Sequence, residues 1–205
     1  RLDSGDRAWL SVEARRMLDE AGFRDAAILA SNELDEAVIQ SLKEQGAAIA
    51  VWGVGTRLVT GWGEPALGGV YKLSALRMGP GEPWRPRVKL SEQAAKISLP
   101  GILQVRRYHG EGGFLADVIY DETSGLPEGP EMVDPADMTR RRRIPAGTPG
   151  EDLLVPVVRG GEPVWRAPAL PAVRERARSQ LDRLHAGLKR FVNPHQYPVG
   201  LERGL

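Results

Sequence analysis

Cysteine is absent from this chain of 205 residues. Disulfides, thiolate metal ligands and a cysteine nucleophile are thereby excluded, and the composition fits a reducing, cytoplasmic compartment. Histidine is scarce, with three copies, and aromatic residues make up 6% of the chain. Charge of either sign is not in excess: 28 basic side chains stand against 27 acidic ones. Such a balance offers no electrostatic reason to expect nucleic acid or a membrane surface as a partner. No apolar run approaches the roughly 20 residues that span a bilayer, and no signal peptide precedes the first motif. The chain also lacks an initiator Met, opens on Arg1-Leu2-Asp3-Ser4-Gly5-Asp6 with no element before it, and reads as part of something longer.

What is present suits a soluble globular protein: 41% hydrophobic and 27% charged residues, in a length that gives one domain, or one domain with an appendage. The first third alternates helix and strand. Leu10, Ala14, Met17, Leu18 and Ala21 recur at helical spacing, with Asp6 or Ser4 as N-cap and Gly22 as the stop. Ala26–Ala30 is a short apolar run suited to a strand buried on both faces. Asn32 can cap a second helix whose buried stripe is Leu34, Val38 or Ile39, and Leu42, ended by Gly46. A second apolar run, Ala48–Trp52, leads into Gly53-Val54-Gly55-Thr56. This order predicts a parallel sheet with crossover helices.

From Gly61 to about Gly113 the sequence is rich in Gly, Pro and β-formers. Strands are predicted at Val70–Leu76, Gln104–Tyr108 and Phe114–Tyr120, antiparallel and irregular. Asp121 to Glu151 reads mostly as loop. A final helix, with Pro171 in its first turn, carries Val173, Ala177, Leu181, Leu184 and Leu188 on one face until Asn193-Pro194 stops it. The domain boundaries expected are 1–76 for a barrel part, 77–170 for a β-rich and loop-rich accessory region, and 171–205 for a terminal helix and tail.

In parallel α/β architectures ligands sit beyond the carboxyl ends of the strands. Ser31-Asn32 and Gly53 to Thr56 should therefore share one rim. Glycine there lets backbone approach an anion closely, and successive amides can hold a phosphate; the same pattern also describes an ordinary tight turn between strand and helix. Arg1, Asp3, Ser4 and Asp6 form a polar cluster that serves either ribose hydroxyls, phosphate or Mg2+, or simply helix capping and a surface ion pair. His109, His185 and His195 are scattered without metal-ligand spacing and read as structural. Arg140 to Arg143 is a basic run that could meet phosphate, though solvated or poorly ordered charge is the commoner case.

Several blocks, taken in order, resemble the nicotinate phosphoribosyltransferase family. They are Arg1 to Asp6, Ala30 to Glu36, and above all Trp52-Gly53-Val54-Gly55-Thr56-Arg57-Leu58-Val59-Thr60. Pro65 to Leu73, Lys89-Leu90-Ser91 with Lys96, Pro100-Gly101, Leu154 to Val157 and Asn193 to Leu201 continue the series. Each block alone is weak; the ordered set, extending over nearly the entire chain, is specific.

The resemblance implies α/β architecture: part of an irregular type II phosphoribosyltransferase barrel, then a largely β accessory region and a C-terminal helix. It implies an enzyme joining nicotinate to phosphoribosyl pyrophosphate, coupled to ATP hydrolysis, with Mg2+, in NAD biosynthesis, and a homodimer when intact. Carried over by residue, Arg1 and Asp3 resemble the pair near the pyridine ring and ribose, Ser31 and Asn32 the ribose edge, and Gly53, Gly55 and Thr56 the 5′-phosphate loop. Lys89 and Lys96 are weaker candidates for leaving-group or ATP phosphates. The family's phosphorylated histidine lies N-terminal to the Arg1–Asp6 block, so no catalytic residue is expected here and the chain alone should be inactive. The related quinolinate and nicotinamide enzymes fit the Trp52–Thr60 and Asn193–His195 blocks less well. From another class, a stand-alone phosphate- or nucleotide-binding α/β module remains as the alternative.

Overall fold

The helix-strand alternation of the first third has its cause in the caps and the buried small residues. In the computed structural model, which describes residues 1–66, 68–92 and 97–205, helix α1 spans Arg7–Glu20. Its N-cap is Asp6, whose carboxylate accepts the Trp9 amide at 3.1 Å. Gly22, at φ 85°, follows its end. The buried face differs from the expected stripe. Ala8 and Ser11 face inward, while Met17 is 63% exposed and Ala21 is also exposed. Small side chains allow close approach here, and Ser11 is buried without penalty because its hydroxyl donates to Ala8 O at 2.8 Å and accepts from Ala48 N at 3.0 Å.

Strand β1 (Leu29–Ser31) and strand β2 (Val51–Gly53) pair in parallel, with Leu29 opposite Val51 and Ser31 opposite Gly53. Both begin later than their apolar runs suggested. β2 is not buried on both faces: Val51 is 42% exposed. Leu2 bridges Ala30 in the same direction, which places the chain start beside β1. Between the strands runs α2 (Glu36–Glu44). Its cap is Asp35, which accepts from Val38 N at 2.8 Å, not Asn32. Asn32 and the following Glu33 are left-handed, at φ 70° and 46°, so the chain turns before the helix can start. Ala8, Ala30, Leu34 and Leu42 form the core, with Val38, Ile39, Ile49, Trp52 and Val54 packed against it. A short helix, α3 (Thr56–Val59), follows β2. This unit comprises Arg1–Val70.

The second unit, Tyr71–Leu205, contains mostly strands. β3 (Ala75–Leu76) and β4 (Arg85–Pro86) pair as a small antiparallel ribbon. Only these two residues of the expected Val70–Leu76 strand pair; Tyr71 is fully exposed. β5 (Leu103–Gly110) and β6 (Gly113–Asp121) form the expected hairpin, with a register shift at Tyr108/His109. The stretch read as loop instead supplies β7 (Glu131–Asp134), β8 (Asp137–Arg143) and β9 (Gly150–Asp152). Its Pro and Gly residues sit between the strands, so composition alone masked short strands separated by tight turns. β10 (Val158–Arg159) and β11 (Glu162–Pro163) make another small ribbon.

Helix α4 spans Leu170–Asp182, with Pro171 in its first turn as expected. It stops at Arg183, well before Asn193, so Leu184 and Leu188 lie beyond it, and a 3-10 turn occupies Ala186–Lys189. Strand β12 (Val199–Glu202) then enters the middle of the large sheet, whose order is β8-β7-β12-β6-β5-β9. It runs parallel to β6 and antiparallel to β7, making the sheet mixed where antiparallel pairing was expected. Tyr108, Ala116, Val118, Met132 and Ile144 form its core. The chain is thus mixed α/β, and among the described residues its strands form open sheets.

Candidate functional site

The carboxyl ends of β1 and β2 frame a concavity of about 110 Å3 lined by Asn32, Glu33, Leu34, Gly53, Gly55, Thr56 and Arg57. Four residues proposed from sequence therefore meet in one place. Gly53 ends β2 directly beside Ser31, the last residue of β1. A Cβ on Gly53 would come within 3.3 Å of Ser31 Cβ and 3.4 Å of Ala30 O, so any larger residue would crowd the two strand ends. Gly55 is different: a Cβ there would meet nothing within 4 Å. It precedes α3 as the N-cap without a capping side chain, so no side chain occupies the first amides of that helical turn. Arg57 adds a guanidinium to the lining and stacks over the Trp62 ring at 4.0 Å.

The opposite wall is held by side-chain to backbone bonds. Arg7 donates through Nη1 to Ser31 O at 3.0 Å and also to Asn32 O. Asn32 in turn donates through Nδ2 to Asp3 O at 3.1 Å. These bonds tie the left-handed Asn32-Glu33 turn to both α1 and the chain start. Arg1 and Asp3 flank Leu2 beside β1 and pair with each other at 3.0 Å, with about half or more of each side chain in solvent. They stand next to the rim, not in the cavity lining. Sequence reading missed Arg7, Glu33 and Arg57. Arg7 directly follows the Arg1–Asp6 block, but nothing in an arginine at a helix start indicates that it will reach across to a strand end.

The remaining expected sites fall elsewhere. Lys89 belongs to the second unit, is exposed, and its backbone exchanges bonds with Ser98: Lys89 N donates to Ser98 Oγ at 2.8 Å. Lys96 lies outside the described residues. His185 and His195 stack with ring centroids 6.2 Å apart. His185 also accepts the Gly187 amide at 3.0 Å, a structural cap. His109 lies 2.6 Å from Arg183 Nη2 and beside Phe114. Among the described residues, no group of three or more His, Cys, Asp or Glu side chains could hold a metal ion.

The Asn193–Leu201 block has a structural role in the second unit. Tyr197 donates its hydroxyl to Asp117 Oδ1 at 2.9 Å, directly before β12 enters the sheet. Asp117 also receives two bonds from Arg107. Arg107 has its pKa raised, first by its hydrogen bonds to Asp117. The Tyr197 hydroxyl is pushed well above its ordinary value, chiefly by burial and then by its bond to the carboxylate.

Comparison with known proteins bears on the family. Residues 104–205 match the nicotinate phosphoribosyltransferase C-terminal domain. The nicotinate phosphoribosyltransferase of Bacillus subtilis is 38% identical over 207 residues, covering 98% of this chain and 41% of that protein. The human nicotinate phosphoribosyltransferase is 32% identical, over 100% of this chain and 39% of its own length. The crystal structure of human nicotinic acid phosphoribosyltransferase superposes with a TM-score of 0.71 at 27% sequence identity, covering 100% of this chain and 38% of that one. The chain thus spans about two fifths of the length of the relatives it matches. It belongs to the nicotinate phosphoribosyltransferase family and corresponds to the C-terminal part of its members.

Proposed function

We propose that this chain supplies the ribose-phosphate-holding rim of a nicotinate phosphoribosyltransferase, within a type II phosphoribosyltransferase barrel completed by further sequence. The observation that carries this reading is the convergence of Asn32, Gly53, Gly55 and Thr56 around one cavity at parallel strand ends. In the reaction, nicotinate displaces pyrophosphate from the anomeric carbon of phosphoribosyl pyrophosphate through an oxocarbenium-like state. The protein's main tasks are to fix the phosphate handle and orient the sugar. Gly53, Gly55 and Thr56 hold the 5′-phosphate through backbone amides at the start of α3. Ser31 and Asn32 border the ribose, and Arg1 and Asp3 stand near the pyridine ring and the ribose. Arg57 contributes positive charge to the phosphate pocket.

ATP as co-substrate and Mg2+ enter this reading from family membership; the described residues do not assemble a protein-built site for the metal. The reaction would serve NAD biosynthesis in the cytoplasm, in a homodimer. No histidine here occupies the rim, so the ATP-coupled step belongs to residues outside this chain, and the chain alone forms no nicotinate mononucleotide. Calorimetric titration with phosphoribosyl pyrophosphate tests the reading: binding that disappears on Gly55→Val supports it. Equal binding by that variant, or no binding by the wild-type chain and no effect of the same substitution on substrate affinity in a full-length relative, rejects it.

A further inference from the structure

The arginine run plays no part in the proposed reaction, yet the fold gives it a defined geometry. Arg140 to Arg143 complete β8, an edge strand of the six-stranded sheet paired only with β7. Every residue of β8 is exposed. Arg141, Arg142 and Arg143 stand opposite Val133, Met132 and Glu131, and Arg140 lies at the register shift just before them. The local acids leave much of this charge uncompensated. Asp134 approaches Arg140 at 3.7 Å, while Glu131, opposite Arg143 in register, is taken by Arg203 at 2.8 Å. Among the described residues, Arg142 and Arg143 have no ion-pair partner. Arg140, Arg141 and Arg142 line a cleft of about 180 Å3 together with Asp134, Met132, Pro198 and Val199.

We infer that the β8 edge is a docking surface for an acidic, extended peptide segment of another protein. The outer edge of a terminal strand offers backbone N–H and C=O groups that an added strand can pair with. Alternate residues on β8 repeat every ~7 Å, the same spacing as alternate residues of an incoming strand. A segment with carboxylates at alternate positions would set one against each of Arg140 and Arg142. Cross-strand pairs of opposite charge add to the main-chain pairing. A second copy of this chain is a poor occupant, because edge-to-edge pairing of two β8 strands would bring arginine against arginine. Nucleic acid has no backbone amides and carbonyls to pair with the free edge of a strand, so it would not protect the β8 amides.

Fluorescence anisotropy with a labelled peptide of about nine residues, glutamate alternating with threonine, tests the inference on the whole chain. Binding should weaken about tenfold in Arg140→Gln/Arg142→Gln and survive in Arg140→Lys/Arg142→Lys, which keeps the charge. Amide hydrogen exchange at 138–143 should slow on binding, reporting added strand pairing. The inference is overturned by absence of binding, by an oligothymidylate of equal charge binding as tightly, or by binding without amide protection. Unchanged affinity in the glutamine variant overturns it as well.

Discussion

Arg107 holds Asp117 in a two-pronged grip, Nε to Oδ1 at 2.9 Å and Nη2 to Oδ2 at 2.7 Å, between adjacent strands β5 and β6. The Asp117 side chain is 9% exposed, and it accepts a third bond from Tyr197. A carboxylate with this little water depends on its partners. The same Asp117 faces Val199 in register, so the cluster anchors the strand that enters the sheet last along the chain.

Arg107→Met should therefore destabilise the second unit by about 3 kcal/mol, since it leaves a nearly buried carboxylate with a single donor. Urea unfolding monitored by circular dichroism checks this. A loss below about 0.5 kcal/mol would mean that the pair is no more than a surface ion pair.

The raised pKa of Tyr197 predicts a direction for alkaline unfolding. Its folded value lies above the unfolded one, so its contribution is complete below the unfolded tyrosine pKa of ~10. Above that pH the unfolded chain loses a proton that the folded chain retains, and stability falls as pH rises. Tyr197→Phe should flatten the stability profile above pH ~10, at a cost of about 1–2 kcal/mol at neutral pH for the lost bond to Asp117. A slope identical to wild type would show that another group governs the transition.

Gly113 sits at φ 133°, and a Cβ there would strike Arg183 O, which also accepts the Phe114 amide at 3.0 Å. Gly113→Ala should lower stability by about 2–4 kcal/mol, through strain and displacement of the segment after α4. Thermal melting measures the loss directly, and a Tm within a degree or so of wild type would refute it.

Arg7→Met should free the Ser31 and Asn32 carbonyls that Arg7 now ties to α1. The cavity wall would loosen and affinity for phosphoribosyl pyrophosphate should drop about tenfold, equivalent to ~1.4 kcal/mol. Titration of both proteins decides this, provided their melting temperatures agree within a few degrees.

Deleting residues 199–205 should unfold the second unit without unfolding the first. β12 lies between β6 and β7, so its loss exposes two inner sheet edges at once. Hydrogen exchange resolves the two units. Retained protection in β6 and β7 after deletion would contradict the assignment of β12 as a central strand.

Local physics made part of this protein legible from sequence alone. Asp6 as a cap, the Leu34/Leu42 stripe, parallel pairing of two short apolar runs and the rim formed by Asn32 with Gly53 to Thr56 all follow from local patterns joined by the strand–helix–strand order. Periodicity and glycine placement report such features directly. The ordered blocks identified the family for the same reason, since they are read along the chain. Only tertiary structure decided the rest. Arg7 reaches Ser31 across 24 residues, and Tyr197 reaches Asp117 across 80. β12, last in the chain, separates β6 from β7, which follow each other in sequence, and Arg140 to Arg143 became an edge strand because β7 was available to pair with them. Such choices are made by long-range pairing and burial, which override local propensity and leave no periodic trace in the sequence.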